Sequence, residues 1–86
     1  MEIHVYDTYV KAGDGRTMHF DVFTAEKDGD QAIGYAKQWL TSIGETGAQV
    51  SSNECRFCHS QQAPGNVIDS IKRNGYFIYK MEGCPA

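Results

Sequence analysis

With 86 residues, 41% of them hydrophobic and 22% charged, the chain has the make-up of a globular domain, not of a disordered or membrane-embedded one. A chain this short buries only roughly 60% of its unfolded surface, so one domain with a thin core, spanning residues 1–86, is expected. The net charge is −3 and the eight Lys and Arg are dispersed, which excludes the dense basic stripe that nucleic acid demands.

In chain order, Ile3 to Val10 alternates Ile3, Val5 and Tyr9 with His4, Tyr6 and Thr8, the period of a first strand. Ala12-Gly13-Asp14-Gly15 supplies a tight reversal, and Thr17 to Thr24 alternates again as a second strand. If the turn closes with Lys11 opposite Arg16, Ile3, Val5, Tyr9, Met18, Phe20 and Val22 share the core face. His4, Tyr6, His19 and Asp21 then share the other. Asp7 falls on the apolar side of that register, so a bulge, a partner or a place at the rim is expected for it.

From Asp28 the apolar spacing lengthens. Ala32, Ile33, Ala36, Trp39, Leu40 and Ile43 form the stripe of a helix over about 29–43, with Asp28 as N-cap and Gly44 at the C′ position. Trp39 is read as core filler facing the hairpin. A third strand is expected at Ala48 to Ser52, running on at most to Phe57. Pro64 opens a second helix over about 64–73, closed by Asn74-Gly75, and Tyr76 to Met81 reads as a fourth strand. The order ββαβαβ implies an α+β two-layer sandwich, a mixed four-stranded sheet carrying both helices on one face. Its exposed edge tyrosines could support self-association.

The chemistry-bearing stretch is Cys55-Arg56-Phe57-Cys58-His59, expected in a loop. Two cysteines two residues apart can grip one ion, most naturally zinc. The remaining ligands would come from His59, His19, His4 or Cys84, and the second cysteine pair of a zinc ribbon is missing. The same letters suit a thiol–disulfide couple of Cys55 and Cys58, which needs a lowered thiol pKa, commonly at a helix N-terminus; here the helix starts several residues later. Covalent haem also uses CxxCH, but attachment belongs outside the cytoplasm and the chain opens without an export signal, so haem is not expected. The bland alternative is a set of reduced, packed cysteines. Three cysteines cannot all pair within one chain, and no stretch approaches a membrane span, so a cytoplasmic protein without membrane contact is expected. A second constellation, His19 with Asp21, Tyr6 and His4, has the acid–base equipment of a site and equally the look of a solvated sheet face.

Taken together, IHVYDTYVKAGDGRTMHFDV, YAKQWLTSIG, ECRFCHSQQAP and GYFIYKMEGC resemble the bacterial family called domain of unknown function 2024. The resemblance spans nearly the whole chain and implies a compact α/β domain. It assigns no residue a role. The expectation is therefore a binding or structural module with a candidate metal site at Cys55, Cys58, His59, Cys84 and His19, the alternative being a thiol redox enzyme using Cys55 and Cys58.

Overall fold

The computed structural model describes residues 1–50 and 53–84. Its elements are β1 (Glu2–Lys11), β2 (Thr17–Thr24), α1 (Gly29–Ser42), β3 (Cys55–Gln62), α2 (Gly65–Asn74) and β4 (Tyr76–Lys80). The class and the order ββαβαβ are as expected. The sheet runs β3-β1-β2-β4, and every neighbouring pair is antiparallel, so it is not the mixed sheet expected.

The β1–β2 hairpin is offset by one residue from the expected register. Gly15 adopts φ 88°, the left-handed region that glycine enters without a Cβ penalty, and the loop closes with the Ala12 amide donating to the Arg16 carbonyl at 2.7 Å. Lys11 therefore faces Thr17, and Tyr6, Thr8 and Val10 face Val22, Phe20 and Met18. A one-residue shift moves each β1 side chain to the opposite face relative to β2. Tyr6 thus joins the core, and Asp7 and Tyr9 join Asp21 and His19 on the other side.

Two cores result, one on each face of the sheet, which corrects the expectation of both helices on one side. Tyr6, Val10, Met18, Phe20 and Val22 pack against Ala32, Ala36 and Leu40 of α1. The two alanines let the helix axis approach the strands, and Trp39 lies 4.7 Å from Phe20, centroid to centroid, as core filler. On the opposite face Ile3, Val5 and Phe23 pack against Val67 and Ile71 of α2, with Phe77 alongside. The reason is visible in β1, where Ile3 and Val5 are apolar on one side while Tyr6, Thr8 and Val10 are buried on the other. The two buried threonine hydroxyls are satisfied: Thr8 donates to the Tyr6 carbonyl and Thr24 to that of Glu26.

The helix ends follow the sequence signals. Asp28 accepts from the amides of Asp30 and Gln31 at 3.0 and 3.2 Å, and Gly44 takes φ 84° after α1. Gly75, at φ 92°, ends α2, where the Tyr35 hydroxyl lies 3.2 Å from the position a Cβ would take. The third strand departs most from expectation. Around Ala48 to Val50 only an isolated bridge, Lys11 to Gln49, forms, and Ser51 and Ser52 lie outside the described residues. The strand is instead Cys55–Gln62, the stretch read as a loop. As an edge strand exposed from Arg56 onward it needs no apolar alternation, and so it carries none. No helix among the described residues is long and apolar enough to cross a membrane.

Candidate functional site

Strand β3 opens out the CxxCH stretch. Cys55 is buried against the α1 core, and its Sγ, 3.5 Å from Thr8 Oγ1, shares that hydroxyl's proton with the Tyr6 carbonyl. Burial pushes its thiol pKa up, the Thr8 bond opposing and the Asp7 charge adding to the rise. Between Val5 and Tyr6 the β1–β3 register slips, so that Val5 faces His59 and Tyr6 faces Phe57; Cys58 is the extra residue of a bulge and is exposed. His59 Nδ1 lies 3.3 Å from Cys58 Sγ, and its Nε2 is 2.6 Å from Gln61 Oε1. Cys84 lies beyond β2, donating through Sγ to the His19 carbonyl at 3.4 Å. All three cysteines are free thiols. Of the expected ligand set Cys55, Cys58, His59, Cys84 and His19, the structure pairs Cys58 with His59 but does not gather the five around one point. Among the described residues, no cluster of three His, Cys, Asp or Glu groups with metal-ligand spacing includes a cysteine.

The cluster that does form is Asp7, His19 and Asp21, whose ligand atoms all lie within 4.8 Å of one another. The hairpin builds it directly: Asp7 stands opposite Asp21, and His19 is two residues before Asp21 on the same face. His19 Nε2 donates to Asp7 Oδ1 at 2.5 Å, a short contact to an anionic acceptor. Tyr9, opposite His19, stacks on the imidazole at 4.1 Å with an interplanar angle of 9°. The Asp21 carboxyl is pushed up to about 6 by burial, by a hydrogen bond with Asp7 and by the Asp7 charge, while His19 and His59 pull the other way. Two carboxylates this close share a proton more easily than they both ionise. Arg56 faces Asp7 from β3, its Nε donating to the Asn53 carbonyl, and Tyr79 faces Asp21 from β4.

Position explains why this cluster is accessible. Helix α2 covers the Ile3, Val5, Phe23 and Phe77 part of the face, and the cluster lies beyond it. Tyr9 and Tyr79 are 47% and 54% exposed there. The tail borders the cluster through backbone bonds, with the His19 amide donating to the Glu82 carbonyl and Met81 to that of His19.

Of the constellation expected on the hairpin, His19 and Asp21 stay together. His4 and Tyr6 leave it: His4 Nδ1 contacts Ser60 Oγ at 2.7 Å, and the Tyr6 ring is buried edge-on to Phe57. Asp7 and Tyr9 take their places. The signal for Asp7 was present in the sequence as the charged residue that broke the apolar alternation of β1.

A family model described as domain of unknown function (DUF2024) matches residues 1–81. The chain belongs to this family. A solved relative, protein NE1680 from Nitrosomonas europaea, determined by NMR, shares 70% sequence identity with the DUF2024 chain described here. The match covers 99% of this chain and 100% of that one, with a TM-score of 0.89. No curated protein matches. The family membership agrees with the resemblance read from the sequence, and it brings no activity with it.

Proposed function

We propose that this DUF2024 chain is a binding module whose ligand is a divalent transition-metal ion held by Asp7, His19 and Asp21. The observation that carries this reading is the convergence of one imidazole and two carboxylates, from adjacent strands, on a part of the sheet that α2 leaves uncovered. One nitrogen and two carboxylate oxygens suit zinc, manganese or iron, and an ion there would neutralise the two facing carboxylates. Rigid strands hold the donors, and Tyr9 stacked on the imidazole limits the rotation of His19.

Titration of the metal-free protein with manganese, followed in amide NMR spectra, tests this. Paramagnetic broadening centred on Asp7, Tyr9, His19, Asp21 and Tyr79, abolished in Asp21→Asn, is the expected result. Broadening centred on Cys55 to His59 would move the metal to the CxxCH stretch, and no saturable broadening anywhere would end the reading.

A second reading rests on Cys58. Its exposure, with His59 Nδ1 at 3.3 Å, supports thiol chemistry at this residue. A Cys55–Cys58 redox couple is less well served, because Cys55 is buried and its thiol is shifted away from the thiolate. Iodoacetamide labelling followed by mass mapping separates the cases. Fast, exclusive modification of Cys58 supports a single reactive thiol, whereas equal rates at Cys55 and Cys58 support the couple.

A further inference from the structure

We infer that the outer edge of β3 is an interface for a second copy of this chain, joined antiparallel about a two-fold axis between Cys58 and His59. Backbone groups of an edge strand point alternately toward the sheet and away from it. The Tyr9 amide bonds the Glu54 carbonyl and the Ala63 amide bonds the Met1 carbonyl, so Glu54 and Ala63 face inward. Counting by alternation from each end through the register, Arg56, His59 and Gln61 also face inward, and Cys55, Phe57, Ser60 and Gln62 direct their backbone groups outward. β3 has no neighbour on that side among the described strands.

The order of these outward groups reads the same in both directions. Steps of two, three and two residues separate Cys55, Phe57, Ser60 and Gln62, the long middle step being the bulge at Cys58. An antiparallel copy therefore presents a matching set. Phe57 pairs with Ser60 of the partner subunit and Cys55 with Gln62 of the partner subunit, bulge opposite bulge. In this pairing each bulge lies opposite its own symmetry mate, so the two strands stay in step on both sides of it. Such an interface is isologous and closes at two copies.

The side chains agree with this register. Natural edges are guarded by lysine, proline or a bulge; Cys55–Gln62 contains neither of the first two, and its bulge falls opposite its own symmetry mate in this pairing. Its one formal charge, Arg56, falls opposite Gln61 of the partner subunit, so like charges do not meet. The other edge of the sheet is β4, which is shorter and ends on Lys80. β3 is thus the longer of the two edges and the one whose strand carries no lysine.

Sedimentation equilibrium combined with amide hydrogen exchange on the full chain tests the inference. The wild-type chain is expected at twice its 9.6 kDa mass, and the amides of Phe57, Ser60 and Gln62 are expected to gain protection as concentration rises. Gln61→Glu places a carboxylate opposite Arg56 twice per dimer and should tighten the dimer about tenfold, whereas Gln61→Arg should weaken it by a similar factor. Both changes are at an exposed side chain whose hydrogen-bond partner, His59, is also exposed, so the fold is expected to survive them. A chain that stays at 9.6 kDa at its highest soluble concentration would overturn the inference. So would a dimer whose β3 amides stay unprotected, or in which the two Gln61 variants shift in the same direction.

Discussion

The two faces of the sheet are built from the same four strands, yet α1 and α2 close them to different extents. On the α1 face, Phe20, Met18 and Val22 are fully buried, and the helix brings fourteen residues, a tryptophan among them. On the other face a ten-residue helix buries Ile3, Val5 and Phe23, and where it stops Asp7, His19 and Asp21 begin. Stability and chemistry are thus separated by helix length. A longer or more apolar α2 would have required Asp7 and Asp21 to be replaced, since buried carboxylates without partners are costly.

The contrast can be broken at its strong side first. Phe20→Ala empties the centre of the α1 core and should cost about 3–5 kcal/mol in urea denaturation, enough to unfold much of the population of so small a chain. Ile71→Ala, its counterpart on α2 and more exposed, should cost about 2 kcal/mol. Equal losses at the two positions would show that the faces are equally closed. Asp28→Ala removes the α1 cap and should cost about 1 kcal/mol with no change at the cluster, read from melting curves and the His19 NMR signals.

The smallest effect sharpens the polar side. Asp21 is an acid whose folded pKa, about 6, lies above its ordinary value of 3.8, so the folded state holds this proton more tightly than the unfolded chain. The contribution is stabilising below about pH 4, declines as pH rises through about 6, and is absent or unfavourable above that. Asp21→Asn should therefore flatten the stability profile between about pH 4 and 6, with the largest relative gain at the upper end. Urea midpoints across that range provide the check, and a profile unchanged by the substitution would mean that Asp21 does not hold the proton.

Much of this arrangement was legible in the sequence where periodicity and capping act locally. The α1 stripe, the Asp28 cap, the Gly44 and Gly75 stops and the Trp39 packing all depend on neighbours within a turn or on a single apolar face. What escaped depends on long-range partners. The hairpin register turned on how the Ala12–Arg16 loop closes around Gly15, and that closure decided whether Tyr6 or Asp7 shared a face with His19. Strand β3 escaped because CRFCHSQQ has no apolar period; its strand character comes from pairing with β1, a strand some fifty positions away in the chain. The cysteine spacing suggested a compact grip, and extended backbone with a bulge pulls those two thiols into different surroundings.

The central place of β1 has a consequence for how the chain finds its fold. One edge of β1 is satisfied by β2 across a short loop, and the other by β3, which the chain delivers from beyond α1. Closing the short loop loses less chain entropy than closing the long one. Gly15→Val should therefore slow refolding, whereas Cys55→Ala should chiefly speed unfolding, a division that stopped-flow chevrons would reveal. That division would make the chain, in kinetic terms, a hairpin that later recruits its own edge.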